Sequence, residues 1–237
     1  MSNLQIGSLI LGDTPAAVAV VDSAYDESTM DSVVAAGADM FEFRADCFSE
    51  NLDFLVSYLK NLKENYPKYP VILTVRDTER TRGHRLEYFG KLLPFADAID
   101  IEIEAPDIAE VVKISQGKAI CVSVHDFEQT PSDDQLLQLE NSALEHGAHI
   151  VKIAAVANSR ADVVRLLKFA EARSAITPVV MFSMGAIGTV SRVIAPLFGS
   201  LFTYGYIGEA AVAPGQLDIG TLCVELNRYF PDRTIKK

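Results

Sequence analysis

One local pattern occurs twice in the chain, as AAGADMFEFR (35–44) and as EHGAHIVKIA (145–154). In both copies an amphipathic run ends at Gly-Ala and a β-rich run follows at once. Glycine is typical of a helix C-cap, because it adopts a left-handed backbone conformation without steric cost. The pattern predicts a helix that leads directly into a strand, and its repetition favours a fold built from similar units.

Eight β-rich runs alternate with amphipathic runs along the chain. They lie at 16–22, 39–46, 71–77, 98–105, 119–127, 149–155, 178–184 and 201–207. The intervening stretches, such as 52–66, 132–147 and 159–174, carry apolar residues at the i, i+3, i+4 spacing of a helix. Ser132 before two aspartates is a predicted N-cap. Eight such units in 237 residues predict a single (β/α)8 TIM barrel, with one catalytic domain spanning residues 1–237.

An open, doubly wound sheet is the structural alternative. A dinucleotide site in such a sheet needs GxGxxG after the first strand. The corresponding stretch here, VVDSAYDES (20–28), contains no glycine. The closed barrel is therefore the favoured architecture.

Composition limits the classes of function. The formal net charge is −11, which argues against nucleic-acid binding and against an anionic membrane surface. No apolar run approaches the roughly 20 residues needed to cross a bilayer. An anionic substrate would have to be met by a local cluster of arginines.

Cysteine and histidine usage points to a cytoplasmic protein without a metal centre. Cys47, Cys121 and Cys223 are odd in number and widely spaced, which favours free thiols in a reducing compartment. The N-terminal stretch has no basic region of the kind that opens a signal peptide. The four histidines show no metal-ligand spacing, so no zinc site is expected.

Lys152 and His125 are the candidate catalytic pair. In a barrel, functional groups lie at the carboxyl ends of the strands, and these residues are in successive predicted strands. A buried lysine surrounded by aliphatic side chains would be an uncharged nucleophile that condenses with a ketone. Histidine is the usual general acid or base near neutral pH. The alternatives are a lysine at a solvated strand edge and a histidine with a purely structural role.

Three arginines are candidates for binding a carboxylate or hydroxyl groups of a ligand. Arg44, Arg76 and Arg192 follow strands or lie in the loops after them, and a guanidinium matches a carboxylate two hydrogen bonds at a time. Ion pairing with neighbouring acidic residues is compatible with that role. Gly199-Ser200 is a possible phosphate site, although a helix C-cap is the favoured interpretation.

Taken in order, the motifs resemble those of type I 3-dehydroquinate dehydratases. The matching elements are ExRxD (42–46), TxR (74–76), DxE (100–102), SxHDFxxTP (123–131), VKIA (151–154), SMG (183–185), SR (191–192), FGS (198–200), T[FY]G (203–205) and APGQ (213–216). The resemblance implies a metal-free, cofactor-free enzyme of aromatic amino-acid biosynthesis that dehydrates 3-dehydroquinate to 3-dehydroshikimate through a lysine Schiff base, often as a homodimer. A class I Schiff-base aldolase and a catalytically weakened quinate-binding barrel are the alternatives.

The resemblance also implies a role for each matched residue. Lys152 is similar to the Schiff-base lysine and His125 to the general acid/base. The substrate-binding positions are Glu42, Arg44, Arg76, Arg192 and Gln216, and the pocket walls are Phe127, Met184 and Tyr204.

Two positions depart from the family pattern. Where the family usually has a glutamate that orients the histidine, this chain has Arg80, with Glu79 one residue earlier as a possible substitute. Val212 stands where a serine usually precedes APGQ, which would remove one hydrogen bond to the ligand.

Overall fold

The computed structural model describes residues 4–235. The chain begins with an antiparallel hairpin of β1 (Leu4–Ile6) and β2 (Leu9–Leu11). Eight parallel strands follow: β3 (Ala16–Val21), β4 (Met40–Arg44), β5 (Val71–Thr74), β6 (Ala98–Glu102), β7 (Ala119–Asp126), β8 (Ile150–Val156), β9 (Val179–Met184) and β10 (Phe202–Tyr206). A two-residue strand, β11 (Leu217–Asp218), pairs with β10.

Helices connect the strands. They are α1 (Glu27–Ala36), α2 (Leu52–Asn65), α3 (Arg85–Leu92), α4 (Ile108–Ile114), α5 (Asp133–Glu145), α6 (Arg160–Ser174), α7 (Gly185–Gly188), α8 (Ser191–Ile194), α9 (Ile219–Tyr229) and α10 (Asp232–Ile235). The predicted N-cap at Ser132 is confirmed as a capping box with Gln135. Gly37 caps α1 with φ +108°, as the repeated pattern predicts. Among the helices of the described residues, none has the length and apolar composition needed to span a bilayer.

The strands close into a barrel. They are hydrogen-bonded in sequence order from β3 to β9, and β10 pairs with β3. Between β9 and β10 the gap is bridged at Val179 and Ser200, with Leu201 N donating to Val179 O at 2.9 Å. The predicted (β/α)8 barrel is confirmed, and this closure excludes the open sheet. Gly199 lies beside the closure and is the C-cap of a short 3-10 helix, with φ +92°. The C-cap was the interpretation that the sequence favoured over a phosphate site.

Strand alternation separates two apolar layers. Outward-facing residues such as Phe41 and Ile153 pack beneath the helices, whereas inward-facing residues such as Met40 and Ile150 fill the barrel. The N-terminal hairpin, which the sequence analysis did not identify, contributes Ile6 and Leu11 to the interior layer. The hairpin thereby covers the amino-terminal end of the barrel and leaves the carboxyl end open.

Candidate active site

A cavity of about 360 Å³ opens at the carboxyl ends of the barrel strands. Ten of the residues predicted from the sequence line it: Glu42, Arg44, Arg76, His125, Phe127, Lys152, Met184, Arg192, Tyr204 and Gln216. Residues from six strands and the loops that follow them therefore meet at one place. The remaining predicted residue, Glu79, is exposed and lies outside this lining.

Lys152 is buried in β8, but its amine is not enclosed by aliphatic groups as the sequence suggested. Nζ donates to Asp100 Oδ2 at 2.8 Å and lies 3.8 Å from Glu42 Oε1. It also lies 4.1 Å from the centre of the Tyr204 ring. Two carboxylates and an aromatic face stabilise a cation. The expectation of purely aliphatic surroundings is therefore wrong, since the amine lies among carboxylates and an aromatic ring.

Asp100 contacts Lys152, Arg76 and Ser123. Its Oδ1 accepts a hydrogen bond from Ser123 Oγ at 2.6 Å and lies 2.8 Å from Arg76 Nη2. Burial alone would raise the pKa of Asp100, but Arg76 and Lys152 hold it well below its ordinary value. Asp100 is thus an ionised carboxylate between two cations. A second carboxylate, Glu102, forms an ion pair with Arg76 at 3.3 Å and accepts a hydrogen bond from the buried Arg85 at 3.1 Å.

His125 lies at the end of β7, the strand hydrogen-bonded to β8, and faces the same cavity as Lys152. Its ring is stacked on Phe127 with 6.2 Å between the ring centres. Burial, together with the cations of Arg76 and Lys152, lowers the pKa of His125 well below 6.5. The imidazole is therefore neutral near pH 7 and able to accept a proton.

Arg192 supplies the cavity with an uncompensated positive charge. Its Nη2 donates to Pro214 O at 3.0 Å and its guanidinium lies over the Phe182 ring, while Nε is buried without a hydrogen-bond partner. No ion pair joins it to any residue in the described range 4–235. Burial lowers the pKa of Arg192 to about 10. A buried cation of this kind is suited to an anionic ligand.

The loop before β11 carries Gln216 to the same side of the cavity. Gln216 Oε1 accepts from the backbone amides of Val212 and Ala213 at 3.1 and 3.2 Å. Gly215 has φ +73°, and a Cβ there would lie 2.6 Å from Gly185 O, so the loop packs closely on α7. The side chain of Val212 lines the cavity at the position where the family usually has serine.

Glutamate and arginine side chains complete the wall. Glu42 Oε1 accepts from Thr74 Oγ1 at 2.9 Å, and Arg44 forms a two-point ion pair with Asp46. Ion pairing therefore coexists with an inward position for Arg44, as the sequence analysis allowed. Phe127 is 64% exposed and forms part of the rim rather than the floor.

The loop after β5 explains the position of Glu79. Arg80 donates to Ala45 O at 2.8 Å and to Glu50 O at 3.1 Å, which ties this loop to the one after β4. The preceding residue is turned toward solvent. The acidic residues that share the cavity lining with His125 are instead Glu42, Glu102 and Glu104.

Sequence reasoning missed the importance of Asp100 and Ser123. Both were quoted as parts of motifs, yet neither was given a role. Their sequence signal was available, because a buried aspartate and a serine at inward positions of β6 and β7 interrupt apolar strands. Within residues 4–235, no group of three or more His, Cys, Asp or Glu side chains has an arrangement that would hold a metal ion.

Fold and site together define the class of this protein: a (β/α)8-barrel enzyme whose cavity is lined by an inward lysine, a histidine and a buried arginine. The chain belongs to the type I 3-dehydroquinase family, whose model matches residues 16–227. This assignment confirms the predicted activity of a 3-dehydroquinate dehydratase, which is a hydro-lyase, and does not support the aldolase alternative.

Named relatives agree with the family assignment. The chain is 38% identical to the 3-dehydroquinate dehydratase of Hydrogenobaculum sp. over 86% of this chain and 93% of the relative. The solved 3-dehydroquinate dehydratase of Aquifex aeolicus is 30% identical, with a TM-score of 0.75 over 91% of this chain and 98% of the other. The Clostridium difficile type I enzyme, solved with covalent modified comenic acid, is 25% identical, with a TM-score of 0.81 over 97% and 98%.

Proposed function

We propose that Lys152 and His125 are the catalytic residues of this dehydratase and that the remaining cavity residues hold 3-dehydroquinate. The single observation that carries the proposal is the position of the Lys152 amine. It is buried at the mouth of the barrel, in one cavity with a neutral imidazole and with the unpaired Arg192 cation. A ketone carbon and a carboxylate of one ligand can therefore be bound at the same time.

The reaction begins at the amine. Lys152 gives up one proton to His125 and attacks the C3 carbonyl of the substrate. The carbonyl oxygen takes up that proton and a second proton from the amine and leaves as water, which gives an iminium. His125 takes a proton from C2, and the electrons of that C–H bond move toward the iminium nitrogen to form an enamine. The C1 hydroxyl then leaves as water with a proton returned by His125. Hydrolysis of the remaining imine releases 3-dehydroshikimate, so the net change is the loss of one water.

Substrate orientation follows from the distribution of charge in the wall. Arg192 binds the carboxylate, since it is the buried arginine of the cavity without an acidic partner. Gln216 has its side-chain oxygen engaged by the loop, which leaves its NH2 group as the donor for the ligand. Glu42, Arg44 and Arg76 contact the ring hydroxyls, and Phe127, Met184 and Tyr204 are the aromatic and apolar walls.

The experiment is borohydride reduction in the presence of 3-dehydroquinate, followed by peptide mass spectrometry. An adduct is expected on Lys152 and none on Lys152→Ala. Lys63→Met is the matched control, because Lys63 also pairs with a carboxylate, Asp97, but is remote from the cavity lining. Absence of the Lys152 adduct would refute the assignment. An absorbance assay for the conjugated enone product separates turnover from mere ligand binding.

We also propose that the whole chain forms one catalytic domain and acts in the cytoplasm as a homodimer. The odd, dispersed cysteines support a reducing compartment, and the family resemblance supports the dimer. Light scattering coupled to size-exclusion chromatography tests the oligomeric state. A monomer at micromolar concentration would contradict it.

A further inference from the structure

Asp100 has no role in the proton transfers described above, yet it makes the shortest polar contact of the Lys152 amine. The contact is 2.8 Å, against 3.8 Å for Glu42. The carboxylate is fully buried, and its other oxygen is held by Ser123 and Arg76. Such a carboxylate cannot move away when the amine becomes part of a covalent intermediate.

The nitrogen of Lys152 carries positive charge twice in the proposed reaction. It is positive whenever the free amine is protonated, and it is positive again as a protonated imine after condensation with the ketone. Asp100 lies at the right distance to accept a hydrogen bond from the N–H of either cation. The same carboxylate therefore stabilises the one state in which the nitrogen withdraws electrons from C2.

We propose that Asp100 is the counter-ion of the protonated Schiff base on Lys152. This inference rests on the proposed function, because it needs the Schiff base to form. No proton passes to Asp100: the N–H stays on the nitrogen, the C2 proton goes to His125, and the C2–H electron pair neutralises the iminium as the enamine forms. Asp100 thus fixes the charge and direction of the iminium without taking part in proton transfer.

Arg76 and Ser123 keep Asp100 in this role. Their contacts to Oδ1 favour the ionised carboxylate, in agreement with the lowered pKa of Asp100. A weaker acid at this position would take the iminium proton and leave a neutral imine, which is a poor electron sink. The other titratable or charged groups around Lys152 are Glu42 and Arg44 from β4, Glu102 from β6, Glu104 from the loop after β6, Cys121 and His125 from β7, Arg192 from α8 and Tyr204 from β10.

The test is the pH dependence of borohydride trapping with saturating 3-dehydroquinate in wild type and Asp100→Asn. Borohydride reduces the protonated imine far faster than the neutral imine, so the alkaline midpoint reports the pKa of the iminium. Loss of an opposite charge within hydrogen-bond distance is expected to shift that midpoint to lower pH by about 1 to 3 units. Asp100→Glu, which restores the charge, should recover part of the shift.

Glu140→Gln is the matched control. Glu140 is an equally buried carboxylate that pairs with Arg173 at 2.6 Å and does not line the cavity, so its loss should leave the trapping profile unchanged. An unchanged alkaline midpoint in Asp100→Asn, with wild type still trapped on Lys152, would overturn the counter-ion role alone. No trapping in wild type would refute the proposed function instead.

A measurement on the wild type keeps the inference testable if Asp100→Asn does not fold. The alkaline midpoint of trapping on Lys152 should lie above that of the imine formed by the same ketone with a simple alkyl amine in the same buffer. A midpoint at or below the value of the free imine would show that no counter-ion acts on the iminium, and would overturn the inference.

Discussion

Replacing Arg192 with methionine is expected to stabilise the folded protein and to weaken substrate binding. Arg192 is 1% exposed and has no acidic partner among the described residues. Methionine is of similar length, is apolar, and can pack against Phe182, over whose ring the guanidinium lies. The substitution removes a charge that only an anionic ligand compensates.

The effect on stability follows from burial. Because one pKa unit is worth about 1.4 kcal/mol, a fall from the ordinary arginine value to about 10 means that the charged form costs roughly 3 kcal/mol in the folded state. The folded-state pKa is depressed, so this cost is fully present below pH 10 and is relieved only as pH rises above it. Loss of the bond to Pro214 O and of the cation–π contact offsets about 2 kcal/mol. The net gain is about 1 kcal/mol, or about 2–4 °C in Tm for a chain of this size.

The effect on catalysis has the opposite sign. A charged, two-point contact to a carboxylate in a buried site is worth about 3 kcal/mol, which corresponds to roughly a hundredfold change in affinity. The carboxylate is attached to C1, the carbon from which the hydroxyl leaves, so its contact with Arg192 holds both the bound substrate and a carbon that reacts. The loss should therefore raise KM and also lower kcat.

Thermal unfolding and steady-state kinetics on the same preparations provide the test. Arg173→Met is the control, because it leaves the buried Glu140 carboxylate unpaired and should destabilise the fold by about 3–5 kcal/mol. If Arg192→Met lowered the Tm as Arg173→Met does, the argument from an uncompensated charge would be wrong. An unchanged KM would show that Arg192 does not bind the carboxylate.

Four further predictions concern the cavity and the loop after β5. In an NMR titration of the free enzyme, the pKa of His125 should lie below 6.5, so that the neutral form persists into mildly acidic solution. A midpoint at or above 6.5 would contradict the effect of burial and of the cations of Arg76 and Lys152. Val212→Ser should restore a hydroxyl at the cavity wall and lower KM by about fivefold, equivalent to about 1 kcal/mol, and a higher KM would count against a ligand contact there. Glu79→Gln should change kcat/KM by less than about twofold, and a large loss of activity would show that this side chain reaches the site during catalysis. Arg80→Met should lower the free energy of unfolding by about 2 kcal/mol, because its contacts to Ala45 O and Glu50 O are lost.

Much of the fold was predictable because it depends on local pattern. Each barrel strand starts within two residues of its predicted start. The starts were predictable because glycines and helix caps precede the β-rich runs. Six of the eight carboxyl ends were predicted too long, as at 71–77, where the strand ends at Thr74. Those last residues leave the sheet to form the site, and a run of β-forming residues does not reveal that departure.

The N-terminal hairpin was missed for a different reason. Its two strands have only three residues each, and Ile6 and Leu11 are buried in one apolar cluster with residues of the barrel strands. A short hairpin of this kind is stabilised by the tertiary contacts that it makes. Its strands are too short for an alternation of apolar and polar residues to identify the hairpin from its own sequence.

Sequence alone determined which residues converge, because parallel strands of a barrel bring their carboxyl ends to one face and the motifs mark those ends. Only the tertiary structure decided which charged groups surround each side chain of the site. In a strand, the neighbours along the chain point to the opposite face, so the valine and isoleucine beside Lys152 do not surround its amine. Its true neighbours come from β4, β6 and β10, and the carboxylate nearest to the amine, Asp100, is 52 positions away in the chain. Electrostatic interaction depends on distance in space, and no local pattern in the sequence contains that distance.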